Sequence, residues 1–397
     1  MKIKSIQLKG YRRFSDIQLD DLDPNLNLLI GVNGAGKSTI LDATALLLSA
    51  FTARLSTTSS KGNRIAVNDI KRGGSSSSLS LTLDNDVVWT KKVSRKLDKD
   101  EESDFSKLNE FTKPIRAQLD SGEPICLPII VHYGVKRSVT DIPLKFPKVD
   151  CLSPALAYKN WIDSKASYRD IFPWIRGEED YENELIRENP DARVRSLVAL
   201  REAMRNIFPE YTDMRVRRKP HLEVVLKKQG EELPLSQLSD GEKCYIALIC
   251  DIVRRLSLAN PDSDILSGDG VVLIDEVDLH LHPSWEQDIM PKLHATFPNL
   301  QFIVSAHSPL VASNFNGQIY AVDNGKVKML PRLYGLDYST ILQDWMCTSP
   351  KNKEISTLIE LYKAYEENDM NPQAQAVKGK LIEIFDGDEN AEALKFL

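Results

Sequence analysis

The sequence predicts an α/β fold: a mixed, mainly parallel sheet accompanied by an antiparallel β subdomain and an inserted helical subdomain. Three observations predict it. Leu26 to Ile30, Val271 to Ile274 and Phe302 to Val304 are short apolar runs with the length and the β-branched or aromatic content of buried parallel strands. A glycine-bearing turn joins the first run to Thr39–Leu48, a stretch of good helix formers without glycine or proline. Leu152 to Arg218 reads as polar helix studded with aromatics (Tyr158, Trp161, Tyr168, Phe172, Trp174), without long heptads.

In chain order, Lys2 to Leu8 alternates imperfectly between polar and apolar and reads as a strand. Ser75–Leu83 and Asp86–Val93 flank Asp84-Asn85 as a hairpin would. Lys96 to Lys113 is charged and reads as a solvated or mobile connection. Leu127 to Tyr133 is a further apolar strand and Ile319 to Val322 another, while Ile355–Tyr365 and Pro372–Phe385 have helical character ahead of an acidic tail. The expected division is 1–150, a first lobe with the β subdomain; 151–230, the helical insertion; 231–345, a second lobe; and 346–397, a terminal helical segment.

Composition narrows the function. The 397 residues carry 51 Lys and Arg against 57 Asp and Glu, a net charge of −6, so generic basic coating of nucleic acid is excluded and any such contact needs a local patch. Five scattered cysteines without a C-x-x-C spacing argue against a disulfide scaffold or a zinc ribbon. No apolar run reads as a bilayer span and the first residues do not read as a signal peptide, so the expectation is a cytoplasmic protein without a membrane.

Gly31-Val32-Asn33-Gly34-Ala35-Gly36-Lys37-Ser38 matches G-x-x-x-x-G-K-[ST] between a strand and a helix, the context the motif requires. Its glycines let backbone N–H groups and the helix N-terminus face phosphate oxygens; Lys37 adds a point charge and Ser38 a Mg²⁺ ligand. Asp275 and Glu276 end an apolar strand, where Asp275 would position Mg²⁺ and Glu276 would polarise the attacking water. Leu238-Ser239-Asp240-Gly241-Glu242-Lys243 lies 32 residues before that acid pair, and Ser305-Ala306-His307-Ser308 follows another strand. Alone, the Ser-Asp-Gly-Glu stretch is an ordinary helix cap and turn.

In this order the segments resemble the ABC-type ATPases of the SMC, RecF and OLD branch. Ile6-Gln7-Leu8-Lys9-Gly10-Tyr11-Arg12-Arg13-Phe14 looks like that branch's opening element, and Asp275 to Trp285 is similar to its D-E-x-x-x-x-L-H-P-x-W stretch. The resemblance implies a P-loop ATPase head with ATP and Mg²⁺ as cofactors. Asn33, Gly34, Ala35, Gly36, Lys37, Ser38, Thr39, Arg12 and Arg13 would contact nucleotide in cis, and Ser239, Gly241 and Glu242 in trans. Ser38 and Asp275 would hold the metal; Glu276, His307 and Lys37 would be catalytic; Asp278 would sit near a two-fold axis. One copy of each motif then implies a head-to-tail homodimer, or a higher oligomer of dimers. His280 and His282 are alternatively a metal pair. The expected coupling glutamine is replaced by a strand leading into His132-Tyr133-Gly134-Val135-Lys136-Arg137.

Without heptad arms, and with only 90 residues after His307, the chain is most similar to PtuA, the ATPase of Septu-type and some retron-linked antiphage systems. That resemblance implies an HNH nuclease partner, and msDNA or invading DNA or RNA as candidate nucleic acid. It leaves the chain itself an ATPase without nuclease activity. The alternative is a RecF-like DNA-binding ATPase, supported by Arg193–Lys228, where Arg215, Arg217, Arg218 and Lys219 form a basic run. Such a run is equally a solvated face or a partner-docking surface. The ATPase of a transporter is a weaker reading.

Overall fold

The computed structural model describes residues 1–57, 60–95, 103–135, 154–162, 168–220, 222–261, 263–346, 353–368 and 370–384. Two compact units emerge, Met1–Leu336 and Asp337–Leu397.

In the larger unit β1 (Ile3–Tyr11), β2 (Phe14–Leu19), β4 (Ser76–Leu83) and β5 (Val88–Ser94) form an antiparallel sheet ordered β2-β1-β4-β5, so the Asp84-Asn85 hairpin is present. The second sheet is ordered β13-β12-β3-β11-β10-β6, from β3 (Leu26–Ile30), β6 (Ile129–Tyr133), β10 (Gly270–Ile274), β11 (Leu300–Ser305), β12 (Gln318–Asp323) and β13 (Lys326–Met329). Its strands pair in parallel except at β12–β13. Residues of β3, β6, β10 and β11 are buried without alternation, the pattern of strands covered on both faces.

Helix α1 (Lys37–Ser56) packs against both sheets. By length and composition it could span a bilayer, yet 72% of the qualifying window is buried inside the fold, where its apolar residues join one core with β1, β4 and β10.

Two expectations need correcting. Lys96–Lys113 is not all solvated connection: α2 (Ser106–Ser121) lies partly within it, because Leu108, Phe111, Ile115 and Leu119 recur at helical spacing and pack on the core beside α1. Residues 96–102 lie outside the described residues. The insertion is also not wholly helical. Helices α3 (Tyr168–Glu188) and α4 (Arg195–Ile207) are followed by β7 (Tyr211–Arg217), which joins β8 (Glu223–Lys228) and β9 (Glu231–Pro234) in an antiparallel sheet. Val224, Val225 and Leu226 supply the buried strand residues that a helical reading of this stretch overlooks.

Helices α5 (Asp240–Ala259), α6 (Pro283–Thr296) and α7 (Pro309–Ser313) complete the larger unit. The second unit contains the single turn α8 (Tyr338–Thr340) and the helices α9 (Lys353–Glu367) and α10 (Asn371–Ile384), whose Ile359, Tyr362, Ala374, Val377 and Leu381 form their own cluster. Cys151, Cys347, Lys136, Arg137 and the acidic tail after Phe385 lie outside the described residues. Among those described, Cys126, Cys244 and Cys250 are free thiols.

Candidate nucleotide site

Parallel strands bring their C-terminal ends to one edge of a sheet, the edge where α/β proteins bind ligands. Here β3 runs into Gly31–Ser38, β10 into Asp275-Glu276 and β11 into Ala306-His307, and β11 lies between the other two. Residues far apart in sequence therefore meet because of strand order.

The turn before α1 is capped by Gly36 at φ 115°, with no side-chain cap and no acid in the first helical turn, so the helix N-terminus is open to an anion. A Cβ at Gly36 would lie 2.6 Å from the Phe14 ring and 3.0 Å from Arg13 Cδ, which requires glycine and puts the Arg13 stem against the turn. Val32, Asn33, Gly34 and Ser38 are exposed, Ala35 is buried and Thr39 half-buried. Lys37 is buried and folds back to donate to Gly31 O at 2.7 Å and Val32 O at 3.3 Å. Burial pushes its ammonium below the ordinary lysine value, and Asp275, Glu276 and Asp278 pull it back up.

Across the edge, Ser305 ties the acid pair together. Its hydroxyl donates to Asp275 Oδ1 at 2.5 Å and accepts from Glu276 N at 2.8 Å. Glu276 has a left-handed backbone, φ 50°, the strain that concentrates at functional sites. His307 lies with Nδ1 3.5 Å from Lys37 Nζ and Nε2 3.9 Å from Glu276 Oε1, and its backbone N–H donates to Asp278 Oδ2 at 2.9 Å. Burial, then Lys37, lowers the imidazole below its ordinary value, opposed by the three carboxylates. A neutral ring here can still donate one N–H to a phosphate. Asp278 Oδ1 is buried without a hydrogen-bond partner. The bracing role of Ser305 is what sequence reasoning missed; its one signal is a serine directly after the apolar run Phe302–Val304.

Arg12 is engaged elsewhere: its guanidinium pairs with Asp42 at 2.6 Å and Asp69 at 2.9 Å. Ser239 caps α5 in a reciprocal box with Glu242, and the contacts of this pair run to Tyr211 and Lys228, not to Gly31–Ser38. Gly241 meets the loop after the acid pair so closely that a Cβ would lie 2.1 Å from His280 O. A cleft of 420 Å³ beside Ser239 is lined by Glu210, Lys228, His280, His282 and Trp285. The metal-pair alternative finds no support: His282 Nδ1 caps α6 by accepting from Ser284 N, and among the described residues no three His, Cys, Asp or Glu form a metal-holding group.

The basic run is not an unopposed cationic face. Arg215 pairs with Glu232, Arg217 with Glu223 at 2.5 Å and Glu232 at 2.8 Å, and Arg218 with Glu179 at 3.4 Å and with Asp180. Glu232, Glu179 and Asp180 reach it from β9 and α3, outside the window that a count along the chain sees. Lys219 is exposed.

A lysine desolvated under an open helix N-terminus, one strand away from an acid pair, is the arrangement of a P-loop nucleotide hydrolase. The chain belongs to the AAA-domain family, whose model matches residues 5–206. A second AAA-domain model, described with an AbiEii toxin of a type IV TA system, matches residues 144–313. Similar proteins include the retron Ec83 probable ATPase of Escherichia coli, 28% identical over 98% of this chain and 85% of that protein. The retron Vc95 probable ATPase of Vibrio cholerae serotype O1 biovar El Tor is 28% identical over 82% of this chain and 74% of that protein. Septu protein PtuA of Bacillus mycoides (strain KBAB4) is 28% identical over 78% of this chain, which spans 38% of that protein. These relatives agree with the family resemblance read from the motifs.

Proposed function

We propose that this chain is the ATP-hydrolysing subunit of an antiphage defence complex, two copies closing head to tail around ATP to control a partner HNH nuclease. The observation that carries it is a division of labour. Lys37, Asp275, Glu276 and His307 share one sheet edge, whereas Ser239 is capped at the start of α5 with contacts of its own. Leu238–Lys243 resembles the signature sequence of the ABC-type ATPases, and a signature serine held apart from its own P-loop is useful when a second copy presents nucleotide to it.

In the closed pair, the triphosphate lies on the α1 N-terminus, and Lys37 exchanges the Gly31 and Val32 carbonyls for phosphate oxygens. Glu276 orients the attacking water and accepts its proton; His307 donates to the γ-phosphate. The Ser38 hydroxyl and the buried Asp275 carboxylate are hard oxygen donors that fit Mg²⁺, which when bound would neutralise charge on the phosphates. Hydrolysis then reopens the pair, and the output to the nuclease, with or without msDNA, is conformational. The retron and Septu names of the relatives support the defence role.

Glu276→Gln should retain ATP and stay dimeric by light scattering with turnover down at least about 100-fold. A monomeric variant with wild-type turnover refutes the mechanism. Deleting the neighbouring nuclease gene should abolish phage restriction; intact restriction refutes the nuclease half.

A further inference from the structure

The signature glutamate is held by more than its helix cap. Tyr211 and Lys228 stand directly opposite each other on β7 and β8, and both reach Glu242. The Tyr211 hydroxyl donates to Glu242 Oε1, and Lys228 Nζ reaches the same oxygen at 2.9 Å while lying 4.9 Å from the Tyr211 ring centroid. The other oxygen, Oε2, accepts from Ser239 N and from Ser239 Oγ, each at 2.8 Å. Four donors thus converge on one carboxylate, two from the small sheet and two from the signature serine.

We propose that Lys228 and Tyr211 are positioning residues for the trans reaction: by anchoring Glu242 from β7 and β8 they fix Ser239 through its backbone N–H, so that the hydroxyl can turn its one proton from Glu242 Oε2 to a γ-phosphate oxygen of a second copy. The inference rests on the proposed head-to-tail dimer. Its physical logic is competition. A carboxylate bonded only to Ser239 keeps one oxygen hungry for donors and turns toward solvent; with Oε1 satisfied by Lys228 and Tyr211, Oε2 stays on the serine. Desolvation raises the Glu242 carboxyl, but its hydrogen bonds to Tyr211, Lys228 and Ser239 outweigh that and hold it down at about 2. It therefore remains an acceptor at any working pH. Lys228 also belongs to the basic run Arg193–Lys228, and this contact gives it a use other than phosphate backbone.

The test is steady-state ATPase activity of the full chain. Lys228→Met should lower kcat about 10–100-fold with KM for ATP unchanged, since the P-loop still binds nucleotide in cis, and Lys228→Arg should restore most of it. Tyr211→Phe should give a smaller loss in the same direction. Lys37→Ala is inactive through the P-loop. Mixed in equal amounts with Lys228→Met, it should recover about a quarter of wild-type turnover per chain, because half the dimers are mixed and each has one intact composite site. A misfolded Lys228→Met cannot complement, so recovery excludes simple unfolding. If Lys228→Met keeps wild-type kcat while Ser239→Ala loses it, the positioning role is overturned and the trans site stands. If Ser239→Ala also keeps wild-type kcat, or the mixture recovers nothing although Lys228→Met unfolds in urea at the wild-type midpoint, the head-to-tail reading falls and this inference with it.

Discussion

Ser305→Ala is the sharpest test of the site geometry. The hydroxyl is fully buried and makes two bonds, one to the Asp275 carboxylate at 2.5 Å and one from the Glu276 backbone at 2.8 Å. A hydrogen bond to a charged group contributes about 1.5–3 kcal/mol and a neutral one about 0.5–1.5, so removing both costs about 2–4.5 kcal/mol. Part is lost as stability, read by urea unfolding. The rest loosens both acids, and because catalytic groups displaced by about 1 Å forfeit up to about 100-fold, kcat should fall by about 10–100-fold. Lys37, on the other side of the edge, keeps its contacts, so ATP binding by equilibrium titration should change little. A variant with wild-type unfolding midpoint and wild-type kcat would show that Ser305 does not brace the acid pair.

Three further outcomes are expected. Asp251 is buried between Arg254, Arg255 and the Tyr133 hydroxyl, so Asp251→Asn strands two arginines and should cost about 3–5 kcal/mol in urea unfolding. Gly241→Ala pushes a methyl into His280 O and should reduce turnover more than tenfold while leaving ATP binding at the P-loop intact, measured by titration and kcat on one preparation. Lys91 is buried on Leu46 O, Ser49 Oγ and Asn63 O, and desolvation pushes its ammonium down to about 7. The unfolded chain then binds the extra proton between pH 7 and 10.5, so stability rises with pH across that window by up to about 1.4 kcal/mol per unit, with the full penalty below it. Lys91→Met should remove that slope relative to wild type in unfolding series at pH 7, 8 and 9; an unchanged slope refutes the assignment.

Much of the site was legible because its motifs are local. The glycine turn, the acid pair and the histidine each sit at a strand end, and each strand is an apolar run that periodicity finds. The readings that needed changing fail for one reason: neighbours arrive from elsewhere in the chain. Lys96–Lys113 looks solvated by charge count, yet the apolar stripe of α2 finds α1 to cover it. Arg215, Arg217 and Arg218 look like a cationic run until β8, β9 and α3 bring acids to them. Arg12 likewise meets Asp42 and Asp69 through the fold, a pairing that no local pattern along the chain shows.

Residue types and their order along the chain determined the class of protein by themselves: a phosphate turn between a strand and a helix and an acid pair at the end of an apolar strand mark a P-loop nucleotide hydrolase. Only the tertiary structure decided which charges stay available. Strand order puts β11 between β3 and β10, making Ser305 a brace and His307 a bridge, and the small sheet swings Lys228 onto Glu242. Coulomb and hydrogen-bond energies depend on distance in space, and strand order sets that distance independently of separation along the sequence.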